Sequence, residues 1–150
     1  MSTRTAPVIP PPVIAGAAAG VQVLLARGGH GTPAARIAAV LLGGASAALA
    51  LWAESSFRAA QTSVNPLHPE HSSSLVTGGA NRYTRNPMYL GMVGALGAHG
   101  LWRGSARAML PAAGAWLWLD RLQIPAEERV LEEKYGGSYR QYQARVRRWI

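Results

Sequence analysis

The sequence predicts an all-α, polytopic membrane protein with about four transmembrane helices. Three observations lead there. Charged residues make up only 15% of the 150 residues, against roughly 25% in soluble domains. They are absent from two long apolar stretches, Thr5 to Ala26 and Ile37 to Ala53, which water would not solvate. Fourteen of the fifteen cations are Arg, and many flank apolar runs, the placement that orients helices across a bilayer. The length suits one domain, divided into an N-terminal helical hairpin, residues 1–53, and a part spanning residues 54–150. That second part carries a long middle loop, a second hairpin and C-terminal helices. A net charge of +8 would draw nucleic acid, but the cations gather at the ends of apolar segments instead of forming a stripe, so nucleic acid is not an expected partner. With no cysteine, disulfides, thiolate metal sites and a Cys nucleophile are excluded.

The first apolar stretch runs from about Val13 to Ala26. Pro10, Pro11 and Pro12 suit the start of a helix, where a missing N–H costs little. Gly16 and Gly20 form a G-x-x-x-G pair that permits close helix contact. Arg4 ahead of an apolar run also resembles a secretory leader, but the proline cluster and the lack of a small-x-small cleavage site argue against one. The second stretch is Ile37 to Ala53, the third Met88 to Trp102, and the fourth about Ala106 to Leu119. The last two fall short of the roughly 20 residues of a span and need flanking residues, with Arg103 and Arg107 snorkelling. Arg103-Gly104-Ser105 reads as a tight helix–helix turn.

With four spans, eleven of the fifteen cations fall on the side of the termini and the middle loop, and four on the other. The positive-inside rule then makes both termini and the middle segment cytoplasmic. All seven acidic residues lie on that side, so any chemistry faces the cytosol. The expected location is integral to a membrane, the inner one in a bacterium. The Ala/Gly-rich faces permit helix packing within one chain or between copies.

Two cytoplasmic pieces carry the unusual residues: Glu54 to Pro87, and Asp120 to Ile150. In the second, Pro125 sits in a first helical turn with Glu127 and Glu128 behind it, where the helix dipole favours anions. Gly136-Gly137 ends that helix, and Ser138-Tyr139-Arg140-Gln141 reads as a capping box opening another. There Tyr139, Tyr142, Val146 and Trp149 share a face, with arginines on much of the rest, the pattern of a basic amphipathic helix at a membrane surface. The densest cluster is LVTGGANRYTRNPMYLG, residues 75–91. Gly78-Gly79 allows close backbone approach to a ligand, and Arg82 and Arg85 offer forked donors for a carboxylate. The plainer reading of the same residues is a positive-inside anchor with an aromatic belt residue. Glu127 and Glu128 can hold an ammonium group or orient a polar nucleophile, or simply begin a helix. His68 and His71 lack the further ligands a metal site needs, and no metal is expected. His99, in the third stretch, reads as an interfacial or interhelical hydrogen-bonder.

Taken together, the two motifs resemble those of the integral-membrane methyltransferases that include isoprenylcysteine carboxyl methyltransferase and phospholipid N-methyltransferases. The family pattern L-V-T-x-G-x-Y-R-x-x-R-[HN]-P-x-Y-x-G is matched by residues 75–91. Two hydrophobic helices later, E-E-x-x-L-x-x-x-[FY]-G-x-x-Y-x-x-Y-x-x-x-V-x-R is matched by EERVLEEKYGGSYRQYQARVRRW, residues 127–149. The resemblance covers about residues 62–150; the N-terminal hairpin is matched in hydropathy alone. Three positions depart from the pattern. Asn81 stands where many members have Tyr, Asn86 replaces the commoner His and cannot act as an acid or base near neutral pH, and Gln123 stands where prenylcysteine enzymes place an Arg for their substrate.

The resemblance implies an S-adenosylmethionine cofactor at a cytoplasmic site formed by the middle loop and the C-terminal region. Leu75, Val76 and the Gly78-Gly79 backbone would line its adenosine and amino-acid region, with Asn81 beside them. Asn86, Pro87, Met88 and Tyr89 would form a second wall at the membrane edge. Glu127 would hold a polar group of the cofactor. From their charge, Arg82 and Arg85 would meet its carboxylate. Arg82 and Glu128 are the candidate catalytic residues, Glu128 orienting or deprotonating the acceptor. The implied activity is methyl transfer to a hydrophobic or small acceptor reached through the membrane: a lipid amine, a carboxylate or a thiol. The alternatives are an NADPH-dependent membrane reductase related to steroid reductases, and a membrane scaffold without enzymatic activity.

Overall fold

A computed structural model describes residues 9–27, 29–61 and 73–150; Arg4, His68 and His71 lie outside the described residues. Among those described there are helices and turns but no strands. Helix α1 (Pro11–Leu25) opens on two prolines whose missing N–H groups fall in the unbonded first turn. Helix α2 (Pro33–Ala59) is longer than its uncharged core, because Thr32 caps it through Oγ1, which accepts from the Ala35 N–H at 3.2 Å. Its last turns are polar, with Arg58 and Glu54 paired one turn apart at 2.6 Å. At 27 residues and about 40 Å it exceeds the roughly 30 Å of a hydrocarbon core. Among the described residues, α2 alone is both long and apolar enough to cross a membrane. Its apolar side chains point outward: Ile37, Leu41 and Leu51 are each more than 60% exposed, an arrangement that lipid tolerates and water does not.

Helix α3 (Pro87–Arg103) packs along α2 through small residues. A Cβ added at Gly91 would lie 2.8 Å from the Ser46 carbonyl oxygen and 3.3 Å from Ala50, so the two backbones meet where only hydrogen fits. The chain then turns at Gly104, whose φ of +64° bears out the Arg103-Gly104-Ser105 turn. A 3-10 turn (Ala106–Ala108) leads into α4 (Met109–Trp118), which packs on α1 and α3 around Ala18, Leu96, Ala112 and Ala115. Gln22 of α1, fully buried, ties this end of the molecule. Its Nε2 donates to the Leu96 carbonyl at 2.8 Å and the Ala108 carbonyl at 2.7 Å, while its Oε1 lies 2.7 Å from His99 Nδ1. His99 is thus the interhelical hydrogen-bonder that its position predicts.

The segment after α4 departs from expectation. No break separates the fourth apolar stretch from the helix at Pro125. A π-turn (Leu119–Gln123) joins α4 directly to α5 (Ile124–Tyr135). Pro125 explains the turn: it lacks an N–H and its ring crowds the carbonyl four residues back, so the hydrogen-bond ladder is widened just before it. Helix α5 ends at Gly136, as the Gly pair predicts. Helix α6 (Gly137–Arg145) starts without a side-chain cap, so Ser138 forms no capping box. Nor is α6 the long surface helix expected. It ends at Arg145, Val146 is extended, and Trp149 lies beyond the helix.

Candidate functional site

A cavity of about 460 Å³ opens where the middle loop, α2, α3, α5 and α6 meet. Its α2 and α3 wall is small and apolar, with Gly43, Ala47, Ala50, Met92 and Ala95. Ala47 and Ala95 on this wall are exposed. The opposite wall is polar, with Asn81, Arg85, Asn86, Glu127 and Glu128, and Tyr89, Tyr139 and Tyr142 complete the lining.

Two pairings set the electrostatics. Glu127, on the first turn of α5, receives two hydrogen bonds at Oε1: Tyr89 Oη and Gln123 Nε2 each donate at 2.5 Å. Burial, opposed by these donors and reinforced by the neighbouring charge of Glu128, pushes the Glu127 carboxyl up to about 7. Glu128 is shared between two guanidinium groups, Arg85 Nη2 at 2.7 Å and Arg148 Nη2 at 2.6 Å. Arg148 also reaches Asp120 Oδ1 at 3.2 Å, and the same oxygen accepts from Trp149 Nε1 at 2.9 Å. Asp120 turns inward because it sits in the π-turn.

The loop is stapled to residues 143–148 by main-chain acceptors. Arg85 Nη1 donates to the carbonyls of Val146 at 2.7 Å and Gln143 at 3.3 Å, and its own N–H to that of Arg147 at 2.9 Å. Thr84 Oγ1 and Asn86 Nδ2 both donate to the Arg148 carbonyl, at 3.0 and 3.1 Å. Tyr142 Oη donates to the Asn81 carbonyl at 2.7 Å. Segments 75–91 and 127–149, separated in sequence by two helices, therefore form one body around the cavity.

Of the residues singled out in the sequence, Leu75, Val76, Asn81, Arg85, Asn86, Pro87, Met88, Tyr89, Glu127 and Glu128 line the cavity. Gly78, Gly79 and Arg82 do not. Gly79, with φ of +57°, brings the loop close against Ser56 and Trp52 of α2, so the close approach it permits is to a helix and not to a ligand. Arg82 is exposed and lies outside the cavity lining. Glu128 is ion-paired on both oxygens, unlike a free base. Tyr139 and Tyr142, expected on a membrane-facing surface, are instead buried against the loop. Their i, i+3 spacing gives the shared face, but an aromatic face flanked by arginines fits a membrane surface and a pocket wall equally well. Asp120 carried no motif signal, and the pairing of Arg148, the last Arg of the second motif, could not be read because it lies 20 and 28 residues from its acidic partners.

Among the described residues, helices with an outward apolar surface are what a membrane-associated protein presents. The sequence matches the family described as phospholipid methyltransferase over residues 34–138, and the chain belongs to that family. A protein from Haemophilus influenzae described as uncharacterized is 41% identical over 63 residues, which cover 42% of this chain and all of that relative. No solved structure gives a significant match.

Proposed function

We propose that the protein transfers a methyl group from S-adenosylmethionine to an acceptor that enters the cavity from the bilayer, at the cytoplasmic face. The observation that carries this reading is the convergence of the 75–91 and 127–149 segments on one cavity, polar on one wall and apolar on the other.

The residues present fit such a cofactor. The cavity volume lies within the roughly 300–1,000 Å³ of small-molecule sites. Two buried polar atoms of its wall lack hydrogen-bond partners: Asn81 Oδ1, an acceptor, and Arg85 Nε, a donor. An acceptor and a donor left over together are what the ammonium and carboxylate of an amino-acid tail would satisfy. Glu127 adds a second acceptor, positioned by Tyr89 and Gln123. When bound, the sulfonium supplies an activated methyl group for in-line displacement. The chain then has to bind, orient and exclude water. Asn81, Glu127 and Arg85 orient the donor. The small side chains of α2 and α3 leave a slot for an apolar acceptor such as a lipid amine, carboxylate or thiol. Glu128, neutralised by two guanidinium groups, holds the loop in place and is not assigned the role of base.

The same reading places four spans across the membrane. α2 crosses alone, while α1, α3 and the continuous 106–123 segment draw on their flanking turns. The distribution of eleven against four cations supports cytoplasmic termini and a cytoplasmic middle loop. Calorimetric titration of the purified full chain in nanodiscs tests the cofactor assignment. S-adenosylmethionine is expected to bind, and Glu127→Ala to weaken it about tenfold or more. Unchanged affinity in the variant would remove Glu127 from the site, and a nicotinamide nucleotide displacing the ligand would overturn the reading. Methyl-labelled cofactor incubated with membrane extract would then show which acceptor becomes labelled.

A further inference from the structure

We propose that Arg148 is a positioning residue that sets the charge of the cavity's polar end, so that the site selects a nucleoside carrying an amino-acid tail over one without it. The inference rests on the cofactor reading above and extends it to a residue that does not line the cavity.

The geometry carries it. Arg85, Glu128, Arg148 and Asp120 form a chain of alternating charge: Arg85 to Glu128 at 2.7 Å, Glu128 to Arg148 at 2.6 Å and Arg148 to Asp120 at 3.2 Å. Arg121, 71% exposed, closes the chain on its outer side by pairing with the other Asp120 oxygen at 3.1 Å. Arg85 and Glu128 are cavity wall; Arg148 is not. Both Arg148 and Glu128 are partly shielded from solvent, at 31% and 15% side-chain exposure, where charge is poorly screened. Without Arg148, Asp120 keeps Arg121, whereas Glu128, on the cavity wall, has Arg85 as its one remaining ion-pair partner among the described residues. Glu128 would be released to settle on Arg85, the cation whose buried Nε lacks a partner. A ligand carboxylate would then compete with an undivided Glu128 for Arg85, the one cation among the residues lining the cavity, whereas a ligand without a carboxylate would lose nothing.

The backbone holds Arg148 in place independently of its charge. Its carbonyl accepts from Thr84 Oγ1 and Asn86 Nδ2, and the Trp149 ring packs beside Tyr89, Leu119 and Ile124. A side-chain substitution at Arg148 therefore leaves these staples available.

The test compares two ligands on the full chain in nanodiscs: S-adenosylhomocysteine, which has the amino-acid tail, and 5′-methylthioadenosine, which has the same nucleoside and thioether without it. Calorimetry on Arg148→Gln is expected to show S-adenosylhomocysteine weakened about tenfold or more, methylthioadenosine changed less than about twofold, and Arg148→Lys restoring most of the loss because it returns the charge. Equal weakening of both ligands, or no recovery with Lys, would mean a merely structural role and overturn the proposal. So would an unchanged Arg148→Gln. Failure of the wild-type chain to bind either nucleoside would instead overturn the cofactor reading.

Discussion

Glu127 combines an acidic side chain, two donated hydrogen bonds and burial, and burial prevails. A carboxyl with a raised folded-state pKa keeps its proton where the unfolded chain has lost it. Its contribution to stability is therefore complete below about 4.5 and is lost as pH rises to about 7. Thermal unfolding of the wild type, followed from pH 4 to 8, is expected to lose midpoint across that window relative to Glu127→Gln, with little further change above it. Parallel profiles for the two proteins would show that Glu127 ionises normally. Glu127, Tyr89 and Asn81 were legible as site residues because each occupies a motif position. That Tyr89 and Gln123 would both serve one glutamate oxygen was not legible, since it depends on how α3 and the π-turn lie against each other.

At the scale of elements, the apolar runs located the helices well, because a charge-free run longer than about fifteen residues has few alternatives to a helix in lipid. The joints were harder to read. Pro125 signals both a helix start and an interruption that a π-turn can absorb, and composition does not choose between them. A buried polar joint at Gln22 links α1 to α3 and to the 3-10 turn before α4. Both of its amide hydrogens go to carbonyls, so its oxygen accepts and His99 carries its proton on Nδ1. Gln22→Leu, close in volume, would leave two carbonyls and an imidazole unpaired. The expected loss is roughly 1–3 kcal/mol, read as a lowered unfolding midpoint in detergent. A variant as stable as the wild type would show that the three groups find other partners.

At the scale of the whole molecule, orientation is the property most accessible to experiment, because the chain has no cysteine and any introduced thiol reports alone. With the motif side in the cytosol, Arg82→Cys is expected to resist a membrane-impermeant maleimide added outside intact cells and to react after lysis, while Ser105→Cys reacts from outside. The reverse pattern would invert the topology. The family and the convergence of its two segments could be anticipated from motif order, but the inward turn of α6 could not. Tyr142 donates to the Asn81 carbonyl, and Gln143 beside it accepts from Arg85, both partners lying in a loop more than fifty residues earlier.

The network of clamps is uneven. The hydrogen bonds described above join α1, α3, the middle loop, α5 and α6, and none comes from α2, which meets α3 through glycine and alanine instead. One flank of the cavity can therefore be reshaped while the polar scaffold stays intact. Evolution or an engineer wishing to admit a bulkier or slimmer acceptor would find Ala47, exposed on α2, the least disruptive place to begin.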